Sequence, residues 1–311
     1  MKTKTPPPEV KPVSHHPDEL KPGVLPLNPQ RIEAAMASYG GVEYVSDDLL
    51  KLTRNFLALY EKYFKIFQSA AKKYGMTREQ IGRQIEKGFF ILNADQMELE
   101  PAALAALLNE VVDLATFTNE ETIGAMREWV KKVRADREAM MNLVHLNIAR
   151  QPEDINDAIR ESGLTKEAFW YILHHFGVAV LWPYAAHFSA QIRDDKWQRP
   201  RCPICGNEPT MAGLVGEGGQ RHLLCNVCNY VWTYQRIKCP YCGNEDPETL
   251  KVLATGSDTM HRLDACKKCG RYVKTIDYRR ADLQQPIILP IEDAATVYLD
   301  ILAGNEGFLR D

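Results

Sequence analysis

The chain has 311 residues, 45% of them hydrophobic and 25% charged, with a formal net charge of −3. That is long enough for two buried cores and ordinary for a soluble globular protein, and it excludes a low-complexity chain. The charge balance also excludes a molecule that is basic all over, although residues 200–280 hold 12 Lys/Arg against 8 Asp/Glu and residues 281–311 hold 1 against 6. A segment of net +4 is a mild basic patch, well short of a nucleic-acid footprint.

In chain order, residues 1–29 read as a disordered or loosely docked arm. Eight of the eighteen prolines precede Arg31, and no apolar period accompanies them. His15 and His16 in this arm read as solvated side chains. The stretch has no apolar run that would serve as a secretory segment, so a cytoplasmic location is expected.

Residues 30–196 read as an all-α domain of six to eight helices. Ser46 is placed to cap a helix whose apolar residues recur at three- and four-residue spacing as far as Gly75. Thr77 and Gln80 form a capping-box pair, Pro101 and Pro152 open helices, Asn119 caps another, and Gly163 stops one. Between Ala168 and Ile192 there is no Asp, Glu, Lys or Arg. Three histidines and Pro183 lower its hydropathy, so it reads as a buried central helix, kinked or ended near Pro183, with no stable membrane insertion. His174 and His175 within it read as core histidines.

From Trp197 the helical period gives way to prolines, glycines and short β-type runs such as "HLLC", "YVWTYQRI" and "RYVKTIDY". All eight cysteines fall here, as four C-x-x-C pairs: Cys202/Cys205, Cys225/Cys228, Cys239/Cys242 and Cys266/Cys269. Cysteines confined to such pairs point to metal thiolates rather than disulfides. The heptapeptide is written twice, "CPICGNE" and "CPYCGNE", each time as the first half of a set that a second pair closes. This repeat favours sequential pairing, with Cys202, Cys205, Cys225 and Cys228 holding one ion and Cys239, Cys242, Cys266 and Cys269 another. Interleaved pairing requires crossed loops. The expected fold is therefore multidomain α plus small β. A helical N-domain precedes tandem rubredoxin-like or zinc-ribbon modules at 197–235 and 236–281, and a C-terminal helix occupies 282–311. Two metal ions per chain are implied, and four thiolates suit zinc and a single iron alike. His222 and His261 precede the second pairs and read as bystanders to complete four-cysteine sets. The glycines of "GLVGEGGQ" read as a hairpin tip at 216–219, since no Lys-Ser/Thr of a phosphate loop follows. The chain has no Ser/His/Asp signature and no carboxylate pair that stands apart from solvated helix faces.

The segment "RHLLCNVCNYVWTYQRIKCPYCGN", followed by "DACKKCGRYVK", resembles the formate dehydrogenase accessory protein family, FdhE. The resemblance rests on the spacing of the four pairs, on Trp232 and Arg236 between the ribbons, and on Tyr272 and Lys274 after the last cysteine. It implies a non-catalytic cytoplasmic factor that helps to assemble or activate formate dehydrogenase by binding its catalytic subunit, with all eight cysteines as metal ligands. Trp232, Arg236, Tyr272 and Lys274 are the expected partner contacts, because aromatic and arginine side chains commonly anchor interfaces. Two other readings of the residues remain: a zinc-ribbon protein that binds nucleic acid, which the low positive charge disfavours, and a rubredoxin-like redox carrier.

Overall fold

The structure, a computed structural model, describes residues 20–25, 33, 34, 36, 37, 45–116, 118–256, 260–281 and 289–310. Most of the proline-rich arm, with His15 and His16, lies outside the described residues.

Seven helices occupy the described residues from 47 to 188: α1 Asp47–Lys73, α2 Arg78–Lys87, α3 Pro101–Asp113, α4 Glu120–Val133, α5 Arg137–Leu146, α6 Pro152–Ser162 and α7 Lys166–Phe188. Their starts follow local chemistry. The Ser46 hydroxyl accepts from the Leu49 N–H, Thr77 and Gln80 exchange both bonds of a capping box, and Asn119 accepts from Thr122. Pro101 and Pro152 occupy first turns, where no N–H is needed, and α6 ends on left-handed Gly163.

Helix α7 is the axis of this half, packed by α1 along much of its length and by α3 to α6 around it. It is apolar on all sides because it is enclosed on all sides, with Ile172, Leu173, Phe176, Leu181, Tyr184 and Phe188 fully buried. The sequence places a kink or an end near Pro183, whereas the helix continues to Phe188. Proline costs one hydrogen bond, to the Ala179 carbonyl, and burial of Pro183, Tyr184 and Ala185 offsets it. On the α1 side His175 stacks on Phe56 at 3.6 Å and shares a 2.5 Å hydrogen bond with the Tyr60 hydroxyl.

The β half is one sheet of seven strands: β1 Gly23–Val24, β2 Met211–Val215, β3 Gln220–Leu224, β4 Tyr230–Tyr234, β5 Leu250–Leu253, β6 His261–Cys266 and β7 Arg271–Asp277. Their order is β1-β4-β3-β2-β7-β6-β5. Strands β2 to β4 form the first ribbon and β5 to β7 the second, each an antiparallel meander. The two ribbons are joined edge to edge by the parallel pair β2–β7, Met211 to Leu214 running beside Lys274 to Asp277. The 216–219 tip turns β2 into β3 through left-handed Gly216 and Gly219. Strand β1 comes from the end of the stretch expected as an arm. It pairs with β4, with Leu20 buried beside it, and the Trp182 indole donates to the Leu25 carbonyl at 3.2 Å.

The C-terminal segment forms two helices, α8 Leu289–Ala295 and α9 Val297–Asn305, where the sequence suggests one. Thr296 leaves helical geometry between them, its hydroxyl donating to the Glu292 carbonyl at 2.6 Å. Both helices are held to β7 by charge. Lys274 is 1% exposed, and its ammonium lies 3.1 Å from Asp293 and 2.5 Å from Asp300. Arg310 adds a 2.7 Å bond to Asp293, and the Tyr272 hydroxyl donates to Asp300 at 2.6 Å.

Burial pushes His174 down to about 3 and His175 well below the ordinary histidine range. Groups that stay neutral when folded but protonate when unfolded withdraw stability as pH falls through the unfolded value near 6.5. Stability against denaturant is therefore expected to fall between pH 7.5 and pH 5, by about 1 kcal/mol per pH unit for His174. His174→Phe is expected to flatten that slope, as urea midpoints measured across the range would show.

Candidate metal centres

The structure brings the eight cysteines together as two groups of four, Cys202, Cys205, Cys225 and Cys228 in one and Cys239, Cys242, Cys266 and Cys269 in the other. Within each group the sulfurs all lie within 4.8 Å of one another. In the first, Cys202–Cys228, Cys205–Cys225 and Cys205–Cys228 are each 3.5 Å apart, and in the second Cys239–Cys269 and Cys242–Cys266 are 3.7 Å apart. A tetrahedral ion with metal–sulfur bonds of about 2.3 Å requires sulfur–sulfur edges of about 3.8 Å, so both groups fit a four-coordinate ion.

Each centre is built from two tight turns of one design. The residue after the second cysteine donates its N–H to the carbonyl of the first: Gly206 to Cys202, Asn229 to Cys225, Gly243 to Cys239 and Gly270 to Cys266, at 2.9–3.1 Å. That residue has positive φ in all four, between 56° and 73°, which accounts for glycine at three positions and asparagine at the fourth. In the repeated heptapeptide the asparagine completes the turn. Cys202 N–H donates to the Asn207 carbonyl and Cys239 N–H to the Asn244 carbonyl, both at 2.8 Å. The two carboxamides turn back to sulfur, Asn207 to Cys205 at 3.2 Å and Asn244 to Cys266 at 3.5 Å. Both asparagines were legible as the invariant "GNE" of the two copies, but their bonding to the ligand sulfurs was not.

The centres differ in surroundings. The first lies inside the main hydrophobic core, its four cysteines fully buried. The helical half grips its first turn through the main chain. Ile91 and Leu92 donate to the Ile204 carbonyl, Ala149 donates to the Cys205 carbonyl at 2.7 Å, and Asn207 donates to the Asn147 carbonyl at 2.7 Å. The second lies at the far end of the sheet, with Cys242 exposed and Cys269 half-buried. Burial pushes the Cys202 and Cys228 thiols well up. Burial also raises Cys205, but hydrogen bonds from Cys202, Cys225, Cys228 and Asn207 outweigh it and hold that thiol well down. Four such sulfurs are not thiolates together in an apolar interior without a cation among them, which is what a bound divalent ion supplies. At the second centre burial raises Cys239 to about 12, while main-chain donors and neighbouring side chains outweigh burial at Cys266 and bring it to about 7.

Of the four expected partner contacts, three belong to the interior. Trp232 is fully buried in β4, its indole donating to the Arg199 carbonyl at 3.0 Å, and Tyr272 and Lys274 face the C-terminal helices from β7. β4 and β7 are inner strands of the sheet, so these side chains serve packing and present no open surface. Arg236 is exposed, donating to the Gly218 carbonyl at 2.9 Å. His222 donates from Nδ1 to the Leu20 carbonyl, and His261 pairs with Glu292 at 2.7 Å, so neither belongs to a four-sulfur group.

A helical domain carrying a fused pair of four-cysteine ribbons is a fold that could hold two metal ions. Residues 201–236, the first centre and its strands, match the family model described as the FdhE central domain. The chain is 24% identical over 262 residues to the protein FdhE homolog of Aquifex aeolicus (strain VF5), an alignment that covers 82% of this chain and 85% of that one. The chain thus resembles FdhE proteins both at its first centre and over most of its length. Its fold is also that of the FdhE protein from Pseudomonas aeruginosa, whose crystal structure superposes with a TM-score of 0.56 at 19% identity over 90% of this chain and 92% of that one. No helix of the described residues is long and apolar enough to cross a membrane.

Metal loss is expected in two stages. A strong chelator should strip the second centre first, with far-UV circular dichroism unchanged, and the first only as the helical half unfolds. Cys242→Ser is expected to cost about 1–3 kcal/mol and one ion per chain, whereas Cys205→Ser should cost several kcal/mol more, because it leaves an incomplete ligand set in the core. Metal content followed beside ellipticity checks both.

Proposed function

We propose that the chain is a non-catalytic accessory factor that supports assembly or activation of a formate dehydrogenase by binding the enzyme's catalytic subunit in the cytoplasm. The observation that carries this reading is the pair of complete four-cysteine centres in a chain related to a protein FdhE homolog over 82% of its length. Each centre holds one ion, zinc or iron, through its four cysteines. The ions contribute folding free energy and fix the ribbon surface without a large core. The exposed connector between the centres, with Arg236 and the 64%-exposed Ile237, supplies part of the contact with the partner.

One observation favours a second reading, that of a redox carrier. Cys242 opens the second centre to solvent, and an iron held there exchanges electrons more readily than one sealed in a core. Iron with thiolate charge-transfer bands in protein purified anaerobically from its own host would support it. Colourless protein with about two zinc ions would leave the scaffold reading alone. A nucleic-acid role would need binding that falls steeply with salt, which a segment of net +4 does not favour.

Deleting the gene is expected to abolish most formate dehydrogenase activity where that enzyme is made, without reducing its messenger RNA. Re-expression should restore activity and co-purify the catalytic subunit, and a chain lacking the first-centre cysteines should do neither. Unchanged activity in the deletion strain would overturn the reading.

A further inference from the structure

A cavity of about 270 Å³ lies where α1, α7, the first ribbon and α8 meet. Most of its wall is apolar, including Leu52, Val178, Trp182 and Met211. One side carries a stacked aromatic pair, Phe56 and His175, face to face at 3.6 Å and 7°. Junctions between structural units with a mostly apolar lining and a few convergent polar groups are where small molecules commonly bind.

Three polar side chains on this wall have hydrogen-bonding groups to offer. Among the described residues the ring nitrogens of His174 and the carboxamides of Asn226 and Asn229 make no hydrogen bond, and His174 and Asn226 are half-buried on the cavity wall. Polar groups that line a cavity without protein partners are donors and acceptors available to an occupant. The main chain fixes the position of Asn229 on this wall, its N–H closing the cysteine turn while its carbonyl accepts from Leu25 at 2.9 Å.

Charge narrows the occupant. The one carboxylate on the wall, Asp293, is shared by Lys274 at 3.1 Å and Arg310 at 2.7 Å. His174 is uncharged at neutral pH, burial being the main cause. An anion would find no free positive charge, and a cation no free negative one. Size narrows it further. A cavity of about 150 Å³ admits benzene, so one of about 270 Å³ admits two fused rings.

We propose that this cavity binds a neutral two-ring heteroaromatic molecule, its rings against Phe56 and His175 and its ring nitrogens hydrogen-bonded to His174 and Asn229. Such a ligand hydrogen-bonds the polar groups that line the cavity and packs against the aromatic pair.

Benzimidazole titrated calorimetrically into the full chain with both ions bound is expected to saturate at one site per chain. Indene, of the same shape without nitrogen, should bind at least tenfold more weakly, and benzoate should not bind. Val178→Trp, which fills the cavity, should abolish binding. His174→Phe, which keeps the ring but not its nitrogens, should weaken it about tenfold. Should the tryptophan variant fail to fold by circular dichroism, Leu52→Trp fills the opposite wall. Absence of saturable benzimidazole binding to the wild-type chain, or binding unchanged in both the cavity-filling and the His174→Phe chains, would overturn the proposal and leave water as the occupant.

Discussion

The first four-cysteine centre sets the terms for the rest of the molecule, because its sulfurs are buried in the same core that the helices share. A structural ion on the surface of a protein stabilises a loop, whereas one inside the core stabilises whatever the core holds together. Here that includes the ends of α2 and α5, since the 91–92 and 149 main-chain groups bond to the 203–205 turn. Without a cation, four desolvated sulfurs oppose one another and the turn they share has no reason to keep its shape. The helical half and the first ribbon therefore share one core, despite the change in composition at Trp197.

The second centre has the same turns and a different situation. Its first turn meets the rest of the protein chiefly through Tyr241, whose hydroxyl donates to the Pro209 and Tyr272 carbonyls and whose ring carries Arg271 at 3.8 Å. Two copies of one heptapeptide have thus diverged by environment rather than by ligand. One sits under helices with its sulfurs sealed, and the other at a rim with a sulfur in solvent.

Much of this was legible in the sequence for local reasons. Caps at Ser46, Thr77 and Asn119, prolines at 101 and 152, and the four C-x-x-C turns are each decided by a few adjacent residues. The grouping of cysteines followed from the repeat, because a duplicated unit carries its own ligand set. What failed to show depends on distant partners. The sequence "MAGLV" carries no alternation because β2 is buried throughout, between β3 and β7. Trp232, Tyr272 and Lys274 look like interface residues by type, and only the position of β4 and β7 inside the sheet turns them inward. Lys274 is the sharpest instance, a lysine 1% exposed because Asp293 and Asp300, on helices nineteen and twenty-six residues further along, come back to meet it. The break at Thr296 likewise depends on a hydroxyl finding the Glu292 carbonyl, which composition does not announce.

The parallel pair β2–β7 joins the first strand of one ribbon to the last strand of the other. Since each ribbon runs third-second-first across the sheet, one maps onto the other by a simple sideways step, a head-to-tail contact rather than a face-to-face one. Such contacts do not close on themselves, and a third ribbon would find the same kind of edge waiting at either end. Two residues from near the start of the chain occupy one of those ends. Gly23 and Val24 lie antiparallel along β4, where a further ribbon would need to arrive parallel. The short strand from the proline-rich side is a stop at that end of the pattern.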